Sequence, residues 1–62
     1  MSTLSSIESF LRRTGMPPAR FGREAVRDPR FVFDLRNGRE PTVRTQRRIE
    51  HFMNIHEGEI WK

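Results

Sequence analysis

Arginine is the residue type whose number and spacing in this chain suggest a chemistry. The 62-residue sequence carries a formal net charge of +4, and its positive charge is concentrated in the middle. Eleven arginines lie between Arg12 and Arg48, where there are only four acidic residues. Guanidinium groups bind phosphate, so this distribution suggests a polyanionic partner. The alternative is that the arginines reflect a GC-rich genome and form a solvated surface.

Other reactive residue types are absent or poorly spaced for catalysis. The chain has no cysteine, which excludes disulfides and thiolate zinc sites and fits a reducing cytosol. His51 and His56 are five residues apart and do not share a helix face, so we expect no metal site and no cofactor. Ser5, Ser6 and Ser9 are interpreted as caps and surface residues, not nucleophiles. We therefore expect a cytoplasmic protein that is not an enzyme and, without a long apolar run, does not span a membrane.

The first helix is predicted from its capping residues. Ser5 followed three residues later by Glu8 fits a capping box, and Gly15 suits the left-handed position after a helix end. Apolar residues follow Ser5 at helical spacing. These signals predict a helix over residues 6–14.

The second helix is predicted over residues 18–26, with Pro18 at its first position. Phe21 and Ala25 are expected to face the core. Gly22 is unusual inside a helix, where it costs up to about 1 kcal/mol relative to alanine. We expect another backbone to approach it closely.

The third helix is predicted over residues 29–37, because Asp28 and Pro29 are typical of an N-cap and a first helical residue. Val32 and Leu35 must face inward, and Phe31 is interpreted as a core residue beside them. The turn between the second and third helices is therefore short.

The fourth helix is predicted over residues 43–56, with Thr42 as its N-cap and Gly58 after its end. Residues 58–62 form a tail. The inward set of the fourth helix is expected to be Val43, Ile49, Phe52 and Met53. The predicted fold is a compact, single all-α domain of four helices, with five as the alternative.

The segment from Phe21 to Pro41 resembles the helix-turn-helix of the Cro/CI-like (Xre-type) transcriptional regulators. Phe21-Gly22 matches the large and small pair of the first helix, and Val32 and Leu35 match the two apolar positions of the second. The closing Asn-Gly-basic-x-Pro pattern is matched by residues 37–41. The chain departs from the family in the turn, where residues 26–29 replace a glycine, an aliphatic residue and a Ser or Thr cap.

The resemblance implies a lambda-repressor-like domain with residues 29–37 in the major groove of DNA. Four residues lie away from the inward face and are candidates for base contact: Arg30, Phe33, Asp34 and Asn37. Arg30 would bind guanine, and Asp34 would accept from cytosine or pair with Arg30. Phe33 would contact a thymine methyl group, unless it forms a dimer contact or packs under the tail. Asn37 would read adenine or only cap the helix.

The resemblance also implies contacts outside the groove. The phosphate candidates are Arg20, Arg23, Arg27, Arg39, Arg44 and Arg47. The alternative for the arginines of the fourth helix is pairing with Glu40 and Glu50. Ile60 and Trp61 are dimer candidates, unless Trp61 folds back to seal the core.

These expectations favour a DNA-binding transcriptional regulator from a bacterium or phage, nucleoid-associated and bound to double-stranded DNA as a dimer. The alternative is a small protein-interaction module, such as an adaptor, an antitoxin or a phage inhibitor, using the same helical domain. RNA binding ranks below both, because the interleaved exposed aromatics and Gly-x-x-Gly loop of common RNA modules are missing.

Overall fold

The computed structural model describes residues 2–61 and contains four α-helices. Their bounds are Thr3–Thr14 for α1, Pro18–Val26 for α2, Phe31–Arg36 for α3 and Val43–Ile55 for α4. Helix α2 packs against both α3 and α4, and α1 packs against α3. The predicted all-α fold with four helices is confirmed, and no strand occurs within residues 2–61. No helix in that range is long and apolar enough to cross a membrane.

Helix α1 begins three residues earlier than predicted. Its N-cap is Ser2, whose hydroxyl oxygen accepts a hydrogen bond from the Ser5 N–H at 3.1 Å. Ser5 thus lies inside the helix, and the expected Ser5–Glu8 capping box is wrong. The earlier start brings Leu4 into the helix, where it packs against the core. The predicted end is confirmed, because Gly15 adopts a left-handed φ of 77° and donates to the Leu11 carbonyl.

Helix α3 is shorter than predicted at both ends. The Asp28 side chain accepts from the Arg30 N–H at 3.0 Å, so its capping role is present. The Phe31 N–H, however, donates to the Asp28 carbonyl three residues back, which makes a turn of residues 29 and 30. Regular α-helix therefore starts at Phe31 and not at Pro29. It ends one residue before Asn37, which is the C-cap.

Helix α4 begins where predicted, because the Thr42 hydroxyl oxygen accepts from the Thr45 N–H at 3.1 Å. Ile49 and Phe52 are buried as expected, and Met53 is partly buried. The inward placement of Val43 is wrong, since its side chain is 64% exposed. Val43 precedes Phe52 by nine residues, which places the two on opposite sides of an α-helix.

A single apolar cluster joins the four helices. Its aromatic centre consists of Phe10, Phe21 and Phe52, with ring centroids 5.3–6.3 Å apart. Tilted and edge-on ring pairs at this spacing are favourable. The buried apolar residues of the cluster are Ile7, Phe10, Leu11, Met16, Phe21, Ala25, Phe31, Val32, Leu35, Ile49 and Phe52. The expected inward face of α3 is thereby confirmed.

Trp61 attaches the segment after α4 to the domain. The Trp61 N–H donates to the Thr14 carbonyl at 2.7 Å, and its side chain packs partly buried against the core. Of the two roles considered for Trp61, folding back onto its own domain is the one found. Ile60 beside it is 76% exposed and remains a dimer candidate.

Candidate nucleic-acid interface

The α2–α3 pair is held together by a close approach at Gly22. A methyl group at this position would collide with the Asp28 carbonyl oxygen and lie 3.2 Å from the Phe31 Cβ. The close backbone approach predicted for Gly22 is confirmed. The site is also tighter than expected, because even an alanine does not fit without movement of the turn.

The turn between the two helices depends on Arg27. Its backbone φ and ψ are 58° and 33°, a left-handed conformation that residues other than glycine rarely adopt. The backbone N–H groups of Arg27 and Asp28 both donate to the Gly22 carbonyl, which closes α2. Arg27 thus takes the conformation that glycine adopts without steric cost. The turn between α2 and α3 therefore contains a left-handed residue that is not glycine.

The outward side of α3 carries the four residues predicted to contact bases. Arg30, Phe33 and Asn37 are exposed, and Asp34 is partly exposed. Arg30 lies in the turn just before α3, at the N-terminal end of the helix. The four residues therefore lie on the side of α3 opposite its buried residues. Their contact with bases stays a prediction.

Arg39 pairs both with the turn before α3 and with α3 itself. Its Nη1 donates to Asp28 Oδ2 at 3.1 Å and to Asp34 Oδ2 at 3.2 Å, and its guanidinium lies 5.2 Å from the Phe31 ring centroid. The pKa of Asp28 is lowered, first by the Arg30 N–H and then by Arg39. An Arg30–Asp34 pair is not formed between the described side chains. The Asp34 carboxylate is instead paired with Arg39.

A second ion pair, between Arg36 and Glu8, joins α3 to α1. Arg36 Nε donates to Glu8 Oε2 at 2.9 Å, and Nη2 donates to Oε1 at 2.7 Å. The hydrogen bonds from Arg36 lower the pKa of Glu8, and those to Glu8 raise the pKa of Arg36. Sequence reasoning gave Arg36 no role. The partners are 28 residues apart, so no local spacing could have found this pair.

Arg36 also lies over the exposed aromatic ring of α3. Its guanidinium carbon is 5.6 Å from the Phe33 ring centroid, within cation–π range. Asn37 Nδ2 donates to the Phe33 carbonyl at 3.0 Å, which supports the expected capping role of Asn37. Arg36 thus lies over the outward ring, and Asn37 caps the end of the helix that carries it.

The phosphate candidates divide into paired and unpaired arginines. Arg20 pairs with Glu24 and lies 4.5 Å from the Trp61 ring centroid, while Arg39 is held by two carboxylates. The other four are exposed and have no carboxylate partner within residues 2–61: Arg23, Arg27, Arg44 and Arg47. The pairing of α4 arginines with Glu40 and Glu50, considered as an alternative, is not found there.

A shallow groove of about 280 Å³ lies between α1 and α4. It is lined by Ser5, Ser6, Ser9, Arg13, Met53, Asn54 and Glu57. Across the described part of the chain, no group of three or more acidic or histidine side chains is placed to hold a metal ion.

Comparisons with known proteins return no match: no family model, no curated protein and no solved structure matches this chain.

Proposed function

We propose that this chain is a DNA-binding transcriptional regulator of the helix-turn-helix type. The observation that supports the proposal is the close approach at Gly22. This close approach packs the apolar side of α3 against α2. The polar side of α3, with Arg30 at its N-terminal end, then faces away from the domain. A helix presented in this way suits insertion into the major groove of duplex DNA.

The unpaired arginines support the same proposal. Arg23 lies in α2 and Arg27 in the turn that follows it, while Arg44 and Arg47 lie in α4, which packs against α2. Arginines without a carboxylate partner keep their charge available for phosphate. Contacts of this kind position a protein on DNA and supply most of its sequence-independent affinity.

A dimer would complete the function. One short recognition helix reads only a few base pairs, so useful specificity calls for two copies on two half-sites. Ile55 and Ile60 are 60% and 76% exposed, and both lie toward the end of the chain. We propose this end, with the outer side of α4, as the dimer contact.

Fluorescence anisotropy with labelled random-sequence duplex DNA across a salt series tests the proposal. The expected result is micromolar binding at low salt. If all four unpaired arginines contact phosphate, the slope of log K against log salt is about −3.6, at roughly −0.9 for each contact. No binding at low salt would overturn the proposal.

A matched pair of variants sharpens this test. The double substitution Arg44→Gln/Arg47→Gln should reduce the salt slope by about 2. The double substitution Arg12→Gln/Arg13→Gln removes the same charge from α1, which lies outside the proposed surface. It should leave the salt slope largely unchanged. Equal effects would indicate only a general attraction of a basic protein to DNA.

The second candidate function is a protein-interaction module. It is favoured by the exposed apolar side chains of Val43, Ile55 and Ile60, which are 60–76% exposed. Nanomolar binding to a protein partner that persists at high salt, together with no binding to duplex DNA, would establish this function instead.

A further inference from the structure

Phe33 is unlike the other phenylalanines of the chain. Four of the five have 9% or less of their surface exposed, whereas Phe33 is 44% exposed. It occupies the middle of the outward side of α3, between Arg30 and Asn37 in sequence. A single exposed aromatic is not unusual in itself. The way in which its neighbours hold it is the more informative observation.

The ring of Phe33 is covered on one side by a guanidinium group that is itself fixed. Arg36 lies 5.6 Å from the ring centroid, and its Nε and Nη2 atoms each bind one oxygen of Glu8. A two-point fork of this kind fixes the orientation of the guanidinium plane. Glu8 belongs to α1, so the position of the ring depends on a second helix of the domain.

The chemistry that suits such a ring is an apolar group projecting from a base edge. In the major groove, thymine presents its 5-methyl group, which phenylalanine contacts favourably, and 5-methylcytosine presents the same group. Cytosine and uracil lack it. A methyl group removed from water by an aromatic ring contributes about a fourfold gain in affinity.

We propose that Phe33 reads the 5-methyl group of a pyrimidine, and that Glu8, acting through Arg36, is the positioning residue that fixes its ring. This inference rests on the proposed function and deepens it by assigning one element of sequence preference. Phe33 is the contact residue, while Glu8 and Arg36 touch no base.

The test begins with a preferred duplex selected from a random pool by the full 62-residue chain. Each thymine is then replaced singly by deoxyuridine, and each cytosine by 5-methylcytosine. We expect at least one position where removing the thymine methyl weakens binding about fourfold, or where methylating a cytosine strengthens it similarly. In Phe33→Ala, the affinity ratio of methylated to unmethylated duplex should fall to 1.

Two further variants test the positioning role. Arg36→Lys keeps the charge but replaces the fork by a point charge, and Glu8→Gln removes the carboxylate that holds it. Both variants should lower the affinity ratio of methylated to unmethylated duplex, while binding to random-sequence duplex persists. The control is Glu50→Gln on α4, which removes an exposed carboxylate with no ion-pair partner within residues 2–61 and should leave the ratio unchanged. A thermal melt confirms that each variant is folded.

The outcomes separate the inference from the proposed function. Duplex binding with no methyl-sensitive position, or a ratio unchanged in Phe33→Ala, overturns the reading of the methyl group. A ratio unchanged in both Arg36→Lys and Glu8→Gln overturns the positioning role. Loss of all duplex binding by the unmodified chain overturns the proposed function, and the inference with it.

Discussion

Gly22 in α2 and Asp28 in the following turn are so close that a methyl group on Gly22 would collide with the Asp28 carbonyl oxygen. The same methyl group would lie 3.2 Å from the Phe31 Cβ. The opposing atom is part of the backbone, so rotation of a flexible side chain cannot relieve the collision. The distance between α2 and α3 is therefore set by the absence of a side chain at Gly22.

Gly22→Ala should strongly destabilise the domain, although alanine is the better helix former. Overpacking against backbone should cost about 3 kcal/mol, which lowers the melting temperature of a domain this size by more than about 12 °C. Circular dichroism during a thermal melt measures the effect. The control is Gly58→Ala, where φ is 88° but no non-neighbouring atom of residues 2–61 lies within 4 Å of the added methyl group, so only backbone strain of about 1 kcal/mol is added. Equal losses in the two variants would contradict the role of the close approach.

Arg27→Gly should stabilise the domain. Relief of the left-handed conformation is worth about 1–2 kcal/mol, partly offset by the greater entropy of glycine in the unfolded chain, for a net gain of about 0.5–1 kcal/mol. Urea denaturation measures the change. Arg27→Ala removes the same charge but keeps the left-handed cost, so it should give no comparable gain. An equal gain from alanine would show that repulsion between arginines, and not the backbone, is being relieved.

Local signals in the sequence were sufficient for much of the fold. Pro18 and Thr42 marked the first turns of α2 and α4, because a proline at N1 and a threonine N-cap act on neighbouring backbone groups. The spacing of Val32 and Leu35 identified the buried side of α3. The outward residues, and with them the candidate interface, followed from the same spacing.

The predictions failed where two local signals competed for one helix start, or where tertiary packing determined which side chains meet. Ser2 and Ser5 can each cap α1, and the earlier start, which packs Leu4 on the core, is the one found. The pairing of Arg36 with Glu8 depends on how α1 packs against α3, which no spacing in the sequence encodes. That pair and the Arg39 contacts were therefore missing from the predicted site.

Stability should fall as the solution is acidified, because two carboxylates have lowered pKa values in the folded domain. The pKa of Glu8 lies below its ordinary value of 4.5, mainly through Arg36, and that of Asp28 lies below 3.8, mainly through the Arg30 N–H. A lowered folded pKa stabilises the domain above the unfolded value, and this stabilisation is lost as pH falls through the folded value. The loss should begin below about pH 4.5 and be modest, since both carboxylates are partly exposed and solvent screens their ion pairs.

Glu8→Gln tests this pH dependence. The variant should be less stable than the unmodified chain at pH 7, and its melting temperature should decline less steeply from pH 5 to lower values. Melting temperatures across an acid series provide the comparison. Glu50→Gln should follow the unmodified chain. A Glu8→Gln decline as steep as that of the unmodified chain would assign the acid sensitivity to other groups.

Arg30→Ala should sharply reduce discrimination between DNA sites and leave the fold intact. The Arg30 side chain is exposed, and the hydrogen bond to Asp28 comes from its backbone N–H, which alanine retains. Loss of a bidentate guanine contact costs about 1–3 kcal/mol of discrimination. Arg44→Ala should instead weaken binding to all sequences alike and reduce the salt slope by about 0.9. Anisotropy on a selected and a scrambled duplex separates the two variants, with a thermal melt of each. If Arg30→Ala destabilises the domain by several kcal/mol and discriminates between the duplexes as well as the unmodified chain does, α3 is not the helix that reads DNA.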